Sequence, residues 1–329
     1  MAGSRRTIDF NDAAILSNLT QANLRRTWAS RRIVEDQLYL VHVQGTGGIG
    51  RPITVVVKKF QNVDGTVIGD IESRWKSEMV MLAFIRHENI IQVLHVIQRE
   101  EAIMLVYEYA VKGSLDYWLH RREEHHRPLS WLERLRIAIG VAQGLHHMHE
   151  GCNKPVVHHN MNSTNILLDE QLNAKITSFG AAQISMAGLN QPLPIADLPA
   201  AAGNFGYTAP EYWREATQLT EKVDTYSYGV VLLELVTGRV ANGVDGQLAI
   251  WARNSCDQLM ENKNQGFKEV VDRDIPHRAR YMKEMLTVFK LGVACTVENL
   301  HQRPSMREVL GQLRRVRGMF SGLLAWCQL

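Results

Sequence analysis

The chain has 329 residues, of which 45% are hydrophobic and 22% charged, and a formal net charge of +3. These proportions suit a globular protein with a sizeable core, and so small a positive balance gives no reason to expect a nucleic acid or other polyanion as partner. Cys152, Cys256, Cys295 and Cys327 lie far apart with no CxxC spacing, which argues against a zinc site or disulfide framework and fits a reducing compartment.

No run approaches the roughly 18 apolar residues of a membrane span; the best candidate, Tyr228 to Val236, is short and contains Glu234. Met1 to Thr7 lacks the apolar core of a signal peptide, and Ala2 stands where myristoylation needs glycine. A soluble, cytoplasmic chain is the expectation. The charge run Arg121 to Arg127 is interrupted by Glu123, Glu124, His125 and His126 and reads as a solvated loop.

In chain order, Leu38, Leu40, Val41 and Val43 lead into a glycine-rich stretch, Gly45 to Gly50, followed by the β-branched run Ile53 to Val57. That pattern predicts two strands joined by a turn. Ile71 to Ile85 reads as a helix with Trp75, Met79, Leu82 and Phe84 near one face. Strands are predicted over Ile90 to Gln98 and Ala102 to Glu108. The pattern then turns helical: Ser114 to His120, Trp131 to His149, and further helices to Arg317. Ser185 to Asn204, rich in Pro, Ala and Gly, reads as a loop. Met319 to Leu329 reads either as an extra packing segment or as a disordered tail. Strands first and helices afterwards give an α+β chain with two unequal lobes. His146, His147 and His149 share one helix without a carboxylate at ligand spacing, so packing explains them better than a metal, as it does His120, His125 and His126.

Several segments align in order with one family. Val55-Val56-Val57-Lys58 resembles the strand carrying the nucleotide lysine of protein kinases, and Glu78 follows where that lysine needs a partner. Leu105 to Tyr109 resembles the hinge strand, His158-His159-Asn160 through Asn165 the catalytic loop, and Ser178-Phe179-Gly180 the metal-binding triplet. Ala209-Pro210-Glu211, Asp224 to Gly229 and Arg303 complete the series. The wording of Gly113-Ser114-Leu115 and Val230 to Leu235 is similar to the intracellular domain of plant leucine-rich-repeat receptor-like kinases, over roughly residues 8 to 316.

The resemblance implies a bilobal protein-kinase-like fold. Residues 1–14 are an N-terminal segment, 15–110 a β-rich N-lobe with the hinge, 111–318 a helical C-lobe and 319–329 a tail. It also implies an ancestor with an ectodomain and a single span, neither of which is read in these residues. ATP and Mg2+ are the cofactors of the family, and Lys58, Glu78, Glu108, Ala110 and Asn165 match its nucleotide positions. His158, Phe179, Gly180, Glu211, Asp224 and Arg303 match scaffold positions, and Leu82 joins His158 and Phe179 in the family's apolar spine.

The chemistry at the centre is altered. Phosphoryl transfer relies on positioning and on neutralising charge. Asn160 stands where the family has the carboxylate that accepts the substrate proton, and Ser178 where it has the magnesium-binding carboxylate. Asn162 replaces a phosphate-contacting lysine, and His159 the arginine that would pair with a phosphorylated loop. The glycine-rich loop belongs near residues 25–32, which hold no glycine. Gly45, Gly47 and Gly50 spell GxGxxG, but Gly50 stands only 8 positions before Lys58, so a hairpin turn is the better reading. Val56 replaces a small residue of the adenine pocket, with Leu167 on the opposite wall.

These substitutions lead to the expectation of a pseudokinase, with no metal and no cofactor retained, that binds protein partners such as active kinases or receptor complexes. Membrane association would come only through such a complex. A residually active Ser/Thr kinase and a nucleotide sensor without transfer are the alternatives.

Overall fold

The computed structural model describes residues 10–20, 23–25, 37–43, 52–60, 70–100, 102–121, 127–186, 188–191, 193, 205–214, 219–244, 246–261 and 265–326. The glycine-rich stretch 44–50, the segment 26–36, His125, His126, Asn204 and Cys327 lie outside them. The chain divides into two compact units, Met1–Arg86 with Ile91–Tyr109, and His87–Ile90 with Ala110–Leu329.

The first unit is built on strands β1 (Leu24–Arg25), β2 (Gln37–Val43), β3 (Ile53–Phe60), β4 (Val93–Gln98) and β5 (Ile103–Glu108), in sheet order β1-β2-β3-β5-β4. Val43 pairs with Ile53 and Gln37 with Lys59, so β2 and β3 form the expected antiparallel pair. Alternation places Tyr39, Val41, Val43, Val55 and Val57 in one buried cluster with Ile97, Met104 and Val106. Helix α1 (Asp12–Ser17), capped by the Asn11 side chain, drives Ile15 into that cluster until it is fully buried. Helix α2 (Asp70–Phe84) completes the unit. The strand predicted from Ile90 begins only at Val93, because Ile90 belongs to the second unit and bridges Ile176 there.

In the second unit, β6 (Gly113–Ser114) precedes α3 (Leu115–His120) and α4 (Trp131–His146). Ser130 and Glu133 form a reciprocal capping box on α4. The helix predicted through His149 changes at His146 into a wider π-turn, His147–Gly151, which buries both Met148 and His149. A Cβ on Gly151 would lie 2.6 Å from His147 Nδ1, so any larger residue there would have to displace the His147 ring.

Strands β7 (Val156–Val157), β8 (Ile166–Leu168), β9 (Ala174–Ile176) and β10 (Gln183–Ile184) frame residues 158–182 through the sheets β6-β8-β9 and β10-β7. Helix α5 (Glu211–Arg214) precedes α6 (Lys222–Thr237), in which every residue is buried. Helices α7 (Leu248–Glu261) and α9 (Met282–Cys295) pack against it, α8 (Gln265–Val270) lies on α7, and α10 (Met306–Trp326) packs on α4 and α9. Residues 319–326 continue α10.

Helices α6 and α9 approach closely at two glycines. A Cβ on Gly229 would lie 2.6 Å from Cys295 Cβ and 3.0 Å from Gly292 O. Neither backbone nor Cβ can swing aside, so Gly229→Ala is expected to destabilise the protein by about 1–3 kcal/mol. Urea unfolding of the variant measures that loss.

Candidate functional site

Within the first unit, Lys58 on β3 donates from Nζ to Glu78 Oε2 on α2 at 2.7 Å. The pair is nearly out of water, with side-chain exposures of 11% and 3%. Tyr107, at the end of β5, donates its hydroxyl to Glu78 Oε1 at 2.8 Å. Both carboxylate oxygens are thus engaged, and a third member joins the predicted pair. A tyrosine one residue before Glu108 was the only signal for it in the sequence. Glu108 Oε1 accepts from the backbone N–H of Gln92 at 3.0 Å. Leu82 is buried in this unit.

The second unit carries the remaining positions. Asp224, on α6, is fully buried and gathers residues 158–159. Its Oδ2 accepts from the His158 backbone N–H (2.7 Å) and from His149 Nε2 (3.0 Å), and its Oδ1 accepts from the His159 N–H (2.9 Å). Burial by itself would push this carboxyl up, but the His149 hydrogen bond and the surrounding histidines hold it below its ordinary range. His149, which the sequence suggested only as packing, is therefore a partner of the carboxylate.

His158 donates from Nε2 to Thr177 O (3.0 Å), accepts from the Asn160 N–H at Nδ1 (3.2 Å) and meets Phe179 edge to face. Phe179 and Gly180 lie in a short 3-10 turn, Phe179–Ala181. Ser178 just before it has φ 73°, and His159 has φ 61°, a left-handed conformation costly for residues with a Cβ. Ala110 is buried and accepts from the Gly113 N–H.

The substituted positions meet one another. Asn160 Nδ2 donates to Ser178 Oγ at 3.1 Å. Asn162 Oδ1 accepts from the backbone N–H of Thr164 and of Asn165, at 2.9 and 3.0 Å, and from Thr164 Oγ1. Asn162 Nδ2 and Asn165 Nδ2 both donate to Asn160 O. The loop is thus ordered by an amide network in which Asn162 caps the turn Ser163–Asn165.

Glu211 and Arg303 form a bidentate pair at 2.6 and 2.7 Å. The Arg303 guanidinium also donates to Lys222 O, Val297 O and Glu298 O, which uses all of its N–H groups. Glu234 of α6 accepts from Tyr207, His120 and Ser163, none of which the sequence singled out for that role.

Burial holds the His159 imidazole down at about 4. Its ordinary value is 6.5, so below that pH the unfolded chain takes up a proton that the folded chain refuses. The neutral ring's contribution is therefore complete above pH 6.5 and is lost as the pH falls through about 4. Wild type should lose on the order of 3 kcal/mol more than His159→Gln over that interval in denaturant titrations.

Among the described residues no group of three or more His, Cys, Asp and Glu is placed to hold a metal ion. Cys152 and Cys295 are free thiols. No described helix is long and apolar enough to cross a membrane.

Comparison with known proteins accords with this geometry. The family model described as "Protein kinase domain" matches residues 50–313. The chain is 37% identical to Receptor-like protein kinase 5 of Arabidopsis thaliana, over 74% of this chain and 23% of that protein. It is 32% identical to Brassinosteroid LRR receptor kinase BRI1 of Oryza sativa subsp. japonica, over 83% of this chain and 24% of that protein. With MDIS1-interacting receptor like kinase 1 of Arabidopsis thaliana it shares 32% identity over 83% of this chain and 28% of the relative. The chain spans only 22% to 28% of the length of such relatives.

Proposed function

The chain belongs to the protein kinase family, related to plant receptor-like kinases, and we propose that it is a kinase-shaped docking module that does not itself transfer phosphate. The observation that carries this reading is the hydrogen bond from Asn160 to Ser178. A neutral amide takes up no proton at neutral pH, and a positioned general base contributes about 10²–10⁴ in rate.

The donor set also fails to fit Mg2+, which asks for carboxylate oxygens in near-octahedral geometry. A serine hydroxyl and amides already bonded to one another stand at this place, so no step through ATP·Mg2+ follows from it. What is kept suits a scaffold: Asp224 under the catalytic loop, Glu211 with Arg303, and a fully buried central helix. Protein partners, active kinases or receptor complexes among them, are the class such a module serves.

A second reading rests on Lys58. Its pairing with Glu78, reinforced by Tyr107, is an arrangement that would also suit a nucleotide held without transfer. Thermal shift of the full chain with ATP, with and without Mg2+, separates the two. The docking reading expects no shift in either arm, a shift without phosphate transfer favours the sensor, and a Mg2+-dependent shift with transfer abolished by Lys58→Ala contradicts both.

A further inference from the structure

Residues 205–214, which close the activation segment, are anchored by three side chains. Tyr207 donates to Glu234 Oε1 at 2.7 Å and shares a 2.8 Å bond with Ser163. Glu211 is held by Arg303. Tyr212 Oη lies 2.6 Å from His159 Nδ1, with the two rings edge to face. The third anchor runs to the catalytic loop itself, at the position where an arginine would call for a phosphate.

His159 is fixed from its backbone side. Its left-handed φ of 61° and its N–H bond to Asp224 set the direction of the ring. Ring Nε2 is shielded from solvent and has no partner among the described residues. The bond to Tyr212 is therefore the ring's hydrogen bond, and losing it would leave both ring nitrogens unsatisfied. Burial, followed by the charges of Asp224 and Glu211, raises the Tyr212 phenol above its ordinary value, so it stays protonated. A neutral phenol bonded to a neutral imidazole carries no net charge and needs no phosphate.

We propose that the His159–Tyr212 bond is a latch that holds residues 205–214 against the catalytic loop without phosphorylation. This rests on the docking reading, for which it supplies the regulation: residues 205–214 keep one arrangement instead of being switched by phosphorylation.

Amide hydrogen exchange on the full chain, before and after phosphatase treatment, tests the latch. Wild-type protection over 207–214 should be unchanged by the phosphatase. Tyr212→Phe and His159→Ala should each speed exchange there about tenfold, the scale of one hydrogen bond, and leave α6 unaffected. His159→Gln, which keeps an acceptor, should recover part of the protection. Phosphatase-sensitive protection, wild-type exchange in either variant, or acceleration shared equally by α6 would overturn the latch. Phosphate transfer by this chain would defeat the docking reading and leave the latch standing, whereas unchanged exchange does the reverse.

Discussion

Asp224→Ala is expected to cost about 3–5 kcal/mol, a large part of the roughly 5–15 kcal/mol that holds a domain folded. The carboxylate accepts two backbone N–H groups and one imidazole N–H, all away from water. Alanine strands all three donors, and each buried orphan costs about 1–3 kcal/mol. Asp224→Asn keeps the shape and one acceptor oxygen, so its loss should be about half as large. The pH dependence has a definite sign. Because the folded carboxyl sits below its ordinary 3.8, the stability it contributes is present above that pH and is lost as the pH falls further. Guanidinium unfolding of the two variants at neutral pH checks the order.

The double variant Asn160→Asp with Ser178→Asp should show the second large effect. The amide and hydroxyl it replaces are 3.1 Å apart. Two carboxylates at that spacing repel, and with EDTA present the variant should lose about 2–4 kcal/mol. Divalent metal bridges such a pair, so Mg2+ should return much of that loss in the variant and do nothing for wild type. Asn160→Asp alone should give no phosphate transfer, because Ser178 still offers the metal no carboxylate. Denaturant melts with EDTA and with Mg2+ decide the first point, and a transfer assay the second.

The sequence made the architecture readable because its strongest signals are local. Val41 and Val43 among the apolar residues read before the glycine-rich stretch, the β-branched run into Lys58, and the apolar stretch of α6 each report burial directly, although Leu38 and Leu40 are only half-buried. The ordered motifs did the rest, and Lys58 with Glu78 and Glu211 with Arg303 are each within hydrogen-bond reach.

What escaped notice depends on distance along the chain. Tyr107 meets Glu78 from 29 positions away, His149 meets Asp224 from 75, and His120 meets Glu234 from 114. No periodicity reports such pairings. The π-turn after His146 was also hidden, since a helical pattern does not announce an extra residue in one turn. Asn162 was readable as a lost lysine but not as a gained cap, because capping depends on where the turn Ser163–Asn165 begins.

The most direct test is transfer of labelled phosphate from ATP·Mg2+ to a generic protein substrate, run beside the Lys58→Ala variant. Amides and a hydroxyl in place of two carboxylates predict incorporation at background for both proteins. Incorporation by wild type that disappears in Lys58→Ala would contradict the account.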